Sequence, residues 1–262
     1  KRYFPQIPTG PFGFFVDSRF GFLYNESRLK RKAGIFMKLM IASDIHGSAL
    51  YCRQMLEAYE REGAERLLLL GDILYHGPRN DLPDRYAPKE VLAMLNEVRE
   101  ELFCVRGNCD TEVDQMVLQF PVLADYAVFF LNGRTVYATH GHNYNPQTPP
   151  PLKKGDILLN GHTHVPKCEA FGDFLYLNPG SVSIPKEGSP RGYLIWEDGA
   201  ENLLSFRTLA GETWKTVSSE ELEALCPAKK RNMQHFTNDL QHLPLVKAGG
   251  FRYDRVMLTS CI

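Results

Sequence analysis

Short apolar runs and longer helical periods alternate along the first half of the chain. Lys38-Leu39-Met40-Ile41-Ala42-Ser43 is largely apolar, as expected of a strand buried on both faces, and it stops at Asp44-Ile45-His46-Gly47. From Ala49 to Glu62 the apolar residues Leu50, Met55, Leu56 and Tyr59 recur at helical spacing, with Gly63 as the stop. Leu67 to Leu70 predicts a second strand, ending at Gly71-Asp72. Pro88 to Glu101 predicts a second helix through Val91, Leu92, Met94, Leu95 and Val98, with Pro88 in the first turn where its missing donor costs least. Leu102 to Val105 predicts a third strand, ending at Arg106-Gly107-Asn108. This β-α-β-α-β order predicts a parallel sheet whose loops gather at one edge.

Further on, the signals become antiparallel. Asn132-Gly133 and Gly172-Asp173 each separate two strand-like runs as tight hairpin turns. Thr135 to Thr139 leads into His140-Gly141-His142, and Ile157-Leu158-Leu159 into Gly161-His162-Thr163-His164. Strands over Tyr193–Trp196, Leu203–Phe206 and Thr213–Val217 are expected to complete a second sheet. Ser218 to Glu221 matches a capping box before a short helix that must end near Pro227.

The flanks read differently. Residues 1–36 mix Pro, Gly and aromatics without a sustained period. Their basic cluster Arg28 to Lys32 follows the apolar patch Phe12 to Val16, the wrong order and length for a signal peptide or membrane span. The expected organisation is a flexible extension over 1–36, a catalytic domain over 37–217, and over 218–262 a short helix with a poorly structured tail.

Seven side chains stand where these strand-like runs give way to loops: Asp44, His46, Asp72, Asn108, His140, His162 and His164. In extended backbone, positions i and i+2 point the same way, so Asp44 with His46, and His162 with His164, would each face one cluster. Flanking glycines allow tight turns and close backbone approach. A single D-x-H or H-x-H is commonplace as hydrogen-bonded structure. The ordered set of D-x-H, G-D, G-N, T-H-G-H and G-H-T-H is a specific signal for a metal centre.

On those motifs the chain resembles the calcineurin-like metallophosphoesterases, and within them the small bacterial phosphodiesterases related to the retromer subunit Vps29. The resemblance runs from about Met37 to Val217 and includes Ala42 to Gly47, Leu70 to Asn80, Val105 to Asp110, Thr139 to His142, Gly161 to Pro166 and Asn178 to Lys186. It implies an α/β fold with four layers, two mixed sheets face to face with helices outside, and a dinuclear centre at the carboxyl ends of the strands. It assigns one metal to Asp44, His46, Asp72 and His164, and a second to Asp72, Asn108, His140 and His162. Oxygen and nitrogen donors suit Mn²⁺, Zn²⁺, Ni²⁺, Co²⁺ or Fe, and the resemblance points to Mn²⁺. Two such ions about 3.5 to 4 Å apart can share a water, lower its pKa to supply hydroxide, and hold a phosphate for in-line attack.

The implied activity is a metal-dependent phosphodiesterase acting on a small phosphodiester. Phosphomonoester or nucleotide hydrolysis and a non-catalytic Vps29-like scaffold are the alternatives. Asp72 and Asn108 are then catalytic as well as ligating. Many superfamily members read G-N-H-D or G-N-H-E where this chain has Gly107-Asn108-Cys109-Asp110; there the His protonates the leaving oxygen and the acid orients it. Cys109 is a poor replacement, which leaves Asp110 as a candidate catalytic residue and His76 as the candidate proton donor. Arg79 and Arg106 are candidate phosphate grips through their planar, multi-donor heads. His142 is expected to support His140 by hydrogen bonding.

Composition narrows the partners. The chain has 262 residues, 44% of them hydrophobic, enough for one large α/β unit. A formal net charge of −1 gives no basic excess to require nucleic acid, and no membrane partner is expected. Six cysteines without C-x-x-C pairing suggest reduced thiols and a cytoplasmic setting. Relatives tend to self-associate, so the resemblance leaves a homo-oligomer open.

Overall fold

The structure, a computed structural model, describes residues 38–227. The expectations for 1–36 and for 228–262 lie outside the described residues. The first strand, β1 (Lys38–Ala42), is followed by helix α1 (Ala49–Glu62), which has the bounds that its apolar spacing predicts. Ser48 caps α1 by accepting from the Tyr51 N–H, and Gly63 ends it in the left-handed region, φ 58°. Then come β2 (Arg66–Leu69), α2 (Pro88–Glu97) and β3 (Leu102–Cys104). Helix α2 stops four residues before the sequence expectation. Val98 leaves helical geometry at φ −108°, ψ 17°, and Arg99–Glu101 forms a tighter 3-10 turn.

The second half adds α3 (Glu112–Val117), the hairpin β4 (Ala127–Leu131) and β5 (Arg134–Ala138), β6 (Ile157–Leu159), and the hairpin β7 (Lys167–Phe171) and β8 (Phe174–Asn178). Strands β9 (Gly192–Glu197), β10 (Asn202–Thr208) and β11 (Thr213–Ser218) precede α4 (Ser219–Leu225).

Two mixed sheets result, with strand orders β11-β10-β9-β1-β2-β3 and β4-β5-β6-β8-β7. The last three strands correct the expectation that they finish the second sheet. They extend the first, because β9 pairs antiparallel with the free side of β1, from Lys38 opposite Glu197 to Ile41 opposite Leu194.

The consecutive apolar runs follow from where the sheets lie. Leu39, Ile41, Leu68 and Leu70 face the second sheet, against Val136, Ala138, Ile157, Leu159 and Leu177. Met40, Ala42, Leu67 and Leu69 turn the other way, onto Met55 and Ala58 of α1 and Val91 and Leu95 of α2. Both faces of β1 and β2 are therefore buried, and cutting back one such leucine to alanine is worth about 2–5 kcal/mol. Helix α4 belongs to the same core. Its capping box joins Ser218 and Glu221, and Leu222 and Cys226 bury between the sheets. Arg134 donates to the carbonyls of Cys226 and Gly155, so the folded unit runs past Val217 to Pro227. Among the described residues no helix is long and apolar enough to cross a membrane.

Candidate metal centre

β1, β2 and β3 run parallel in the first sheet, β5 and β6 run parallel in the second, and the loops after these five strands meet. The backbone that turns the donors inward is not the extended one assumed from the i, i+2 spacing. Asp44 (φ 60°), His46 (φ 48°), Asp72 (φ 56°), His162 (φ 64°) and His164 (φ 62°) all lie in the left-handed region. Each such non-glycine conformation costs about 1–3 kcal/mol and persists only where the surroundings over-determine it. Here the Asp44, His46 and Gly47 N–H groups donate to the carbonyls of Gly71, Asp72 and Ile73 at 3.1, 2.9 and 2.8 Å. The loop after β1 is thus zipped to the loop after β2.

The donors fall into two clusters that share Asp72. In the first, His164 Nε2 is 3.2 Å from Asp44 Oδ1 and 3.2 Å from His46 Nε2. In the second, His140 Nε2 lies 3.1 Å from Asn108 Oδ1, 3.2 Å from His162 Nδ1 and 3.4 Å from Asp72 Oδ2. The same Asp72 oxygen is 3.7 Å from His46 Nε2, which places it between the clusters. Its other oxygen accepts from the Cys109 N–H at 2.8 Å.

Tautomers follow from the outer partners. Nδ1 of His46, His140 and His164 each faces a backbone carbonyl, of Tyr75 (2.8 Å), Leu70 (2.6 Å) and Ile184 (2.5 Å). A carbonyl only accepts, so Nδ1 carries a proton and Nε2 points inward, with its lone pair free whenever the ring is neutral. His142 does not play this part for His140, because Leu70 already does.

Electrostatics agree. Burial would raise the Asp44 carboxyl, but the imidazoles of His164 and His46 hold it well below the usual range. Burial would likewise lower His140, yet the Asp72 and Asp44 carboxylates push it up to about 9. His162 is pushed down to about 4, first by burial and then by the charge on His140, which keeps its lone pair free.

These residues fit divalent cations. Asp44 Oδ1 is fully buried with no hydrogen-bond partner, and the nearest groups are imidazole nitrogens, which present lone pairs once neutral. An orphaned carboxylate oxygen inside a ring of imidazole lone pairs is a cation site by its chemistry. Cys109 Sγ also lies beside His46 and Asp72, a neighbour that the reading of oxygen and nitrogen donors passes over. Burial and then the Asp72 charge push that thiol far above its usual range, so it stays protonated.

The sequence profile of the calcineurin-like phosphoesterase superfamily domain matches residues 37–199. The chain belongs to that superfamily. It is 50% identical over 157 residues to phosphodiesterase YfcE of Escherichia coli, covering 60% of this chain and 85% of that one. The solved structure of E. coli YfcE, described as a phosphoesterase, superposes with a TM-score of 0.66 at 45% identity, over 70% of this chain and 99% of that one. A probable metallophosphoesterase of Bacillus subtilis, YsnB, is 24% identical over 166 residues, 61% of this chain and 83% of that one. The two mixed sheets flanked by helices are the architecture of this superfamily.

A cavity of about 380 Å³ opens onto this donor cluster, lined by Asp72, Asn108, His162, His164, Arg79 and Lys186 among others. Arg79 stands where expected. Lys186 is missed by the motif reading, although it lies at the end of a stretch that carries the resemblance. Arg106 is a correction: it does not line the cavity. Its Nε donates to the Asp110 carbonyl at 3.2 Å and its guanidinium pairs with Glu112 at 3.4 Å.

His76 is also displaced from its expected place. Its ring packs edge-on against Tyr75 and Tyr86, at 4.8 and 5.2 Å between centroids, and does not line the cavity. Asp110 orients backbone rather than a proton donor. Its carboxylate accepts from the N–H groups of Asp72 (2.8 Å), Ile73 (2.9 Å) and Gly107 (2.8 Å), so its observed bonds go to backbone. Asp110 thereby fixes the turn that presents Asp72. A Cβ on Gly107 would collide with the Asp72 carboxylate, so this close approach demands glycine.

Proposed function

We propose that the protein is a metal-dependent phosphodiesterase that cleaves small phosphodiesters. The observation that carries this is the buried, unpartnered Asp44 Oδ1 facing imidazole lone pairs, in a cluster that shares Asp72 with a second. The 50% identity to a phosphodiesterase supports the substrate class. One cation would be held by Asp44, His46, Asp72 and His164, and the other by Asp72, Asn108, His140 and His162. Mn²⁺ is our first choice. When bound, the two ions would acidify a water for in-line attack and neutralise charge on the phosphoryl oxygens.

The chain's own groups do the rest. His46, His140 and His164 are aimed by carbonyls that already hold their outer protons, so the rings need not turn on binding. Asn108 sits on the cavity wall, where its amide can meet a phosphate oxygen. A buried thiol held as Cys109–SH does not compete as a nucleophile.

The test is hydrolysis of bis(p-nitrophenyl) phosphate by the Mn²⁺-loaded protein, beside p-nitrophenyl phosphate and a cyclic nucleotide. Turnover of the diester above the monoester, abolished by Asp72→Asn, is the expected result. A folded, metal-loaded protein inert towards all three would overturn the reading and leave the scaffold role. Faster monoester cleavage would replace diesterase with monoesterase.

A further inference from the structure

The cavity holds more positive charge than a simple diester needs. Arg79 and Lys186 both line it, both are exposed, and neither forms an ion pair with any carboxylate among the described residues. Unpaired surface cations are ordinary on loops, but these two are held against the donor cluster. The Lys186 N–H donates to the His164 carbonyl at 3.2 Å, and its own carbonyl accepts from the Ser189 hydroxyl at 2.6 Å and the Ser189 N–H at 3.0 Å. Two residues earlier, the Ile184 carbonyl takes the His164 ring proton. Lys186 is therefore on the short loop that aims a metal ligand. Arg79 lines the same cavity from a different loop, the one after β2. Asn80 Nδ2 donates to the His76 carbonyl at 2.8 Å, which closes the turn around Arg79, and a Cβ on Gly77 would stand 3.2 Å from Cys109 Sγ, so that turn rests on the Asn108-Cys109 corner.

The charge count decides what these cations are for. A phosphodiester carries one negative charge, and a centre of two dications against Asp44 and Asp72 is already net positive enough to hold it. Two further cations on the same cavity call for further negative charge on the substrate. A phosphate monoester supplies about 1.5 to 2 negative charges at neutral pH, with three strong acceptor oxygens. Arg79 can meet it with a planar fork and Lys186 as a point charge.

Resting on the diesterase reading, we propose that Arg79 and Lys186 form a second anion subsite, and that the preferred substrate is a small phosphodiester bearing a terminal phosphate monoester. The subsite is a specificity element: it recognises a group that does not react.

The experiment compares the p-nitrophenyl ester of thymidine 5′-phosphate with and without a 3′-phosphate. Both have the same scissile bond and leaving group. The phosphorylated ester should show a KM at least tenfold lower at similar kcat, and Lys186→Ala or Arg79→Ala should erase that preference while Lys186→Arg keeps most of it. A preference that survives both alanine variants, or one that is absent from the wild-type protein, overturns the proposal. Calorimetry with thymidine 3′,5′-bisphosphate against thymidine 5′-phosphate reads the same subsite without turnover. Tighter binding of the bisphosphate, lost in both alanine variants, supports the subsite even if neither ester is hydrolysed, an outcome that would remove only the diesterase reading. Equal affinity for the two nucleotides overturns the subsite.

Discussion

The Nε2 atoms of His46 and His164 face each other at 3.2 Å, while the Nδ1 of each ring faces a backbone carbonyl, of Tyr75 and of Ile184. Two neutral rings would repel there, so the contact calls for a proton or a metal cation between them. Cation binding should accordingly stabilise the fold. At 100 times the dissociation constant, a ligand that binds only the native state adds about 2.7 kcal/mol. For a domain of this size that is a rise in Tm of about 5–10 °C, at about 2–4 °C per kcal/mol. Differential scanning fluorimetry with Mn²⁺ against EDTA reads it, and an unchanged Tm would count against the site.

Acidity should control that uptake. In the metal-free protein His140 is raised to about 9 from 6.5, so its proton stabilises the fold fully below pH 6.5 and this contribution is lost as pH rises through about 9. A cation must expel the same proton. Metal affinity should therefore climb with pH across the window 6.5 to 9, with proton release. Calorimetry in buffers of different ionisation enthalpy measures the protons released; none at pH 7.5 would show that His140 is not displaced.

Gly107→Ala should remove metal without unfolding the protein. The new methyl would meet the Asp72 carboxylate, the one group shared by both clusters. The expected result is a loss of at least one equivalent of bound metal by elemental analysis, with the far-ultraviolet circular dichroism retained. Full metal content in the variant would mean that Asp72 has room to move.

His76→Ala should lower turnover of activated and poor leaving groups by similar factors. Its ring lies between Tyr75 and Tyr86 and off the cavity wall, where it cannot deliver a proton to the departing oxygen. Esters of p-nitrophenol and of a simple alcohol make the comparison. A selective loss on the alcohol ester would restore His76 as the donor.

The donors were legible because each ends a run of buried apolar residues, and Asp44, His46, Asp72, Asn108, His140, His162 and His164 do converge. How they converge was not legible. Left-handed backbone at Asp44 or His162 is set by hydrogen bonds to remote loops, such as Asp44 to Gly71, and the modest preference of Asp and His for that region is too weak to announce it. Sheet membership of β9 was hidden for a related reason. Tyr193, Leu194, Ile195 and Trp196 are all buried, so the run has no polar side to say which sheet it faces. Arg106 and Arg79 looked alike as cations after strand ends. The folded loop separates them, because it brings Asp110 and Glu112 back onto Arg106.

One consequence comes from how the seven donors are shared out. The loops of the first sheet contribute Asp44, His46, Asp72 and Asn108, those of the second His140, His162 and His164, and each cluster draws on both. A bound ion would act as a rivet through two plates, adding to the hydrogen bonds that already join His140 to Leu70 and His162 to Asp44 across that edge.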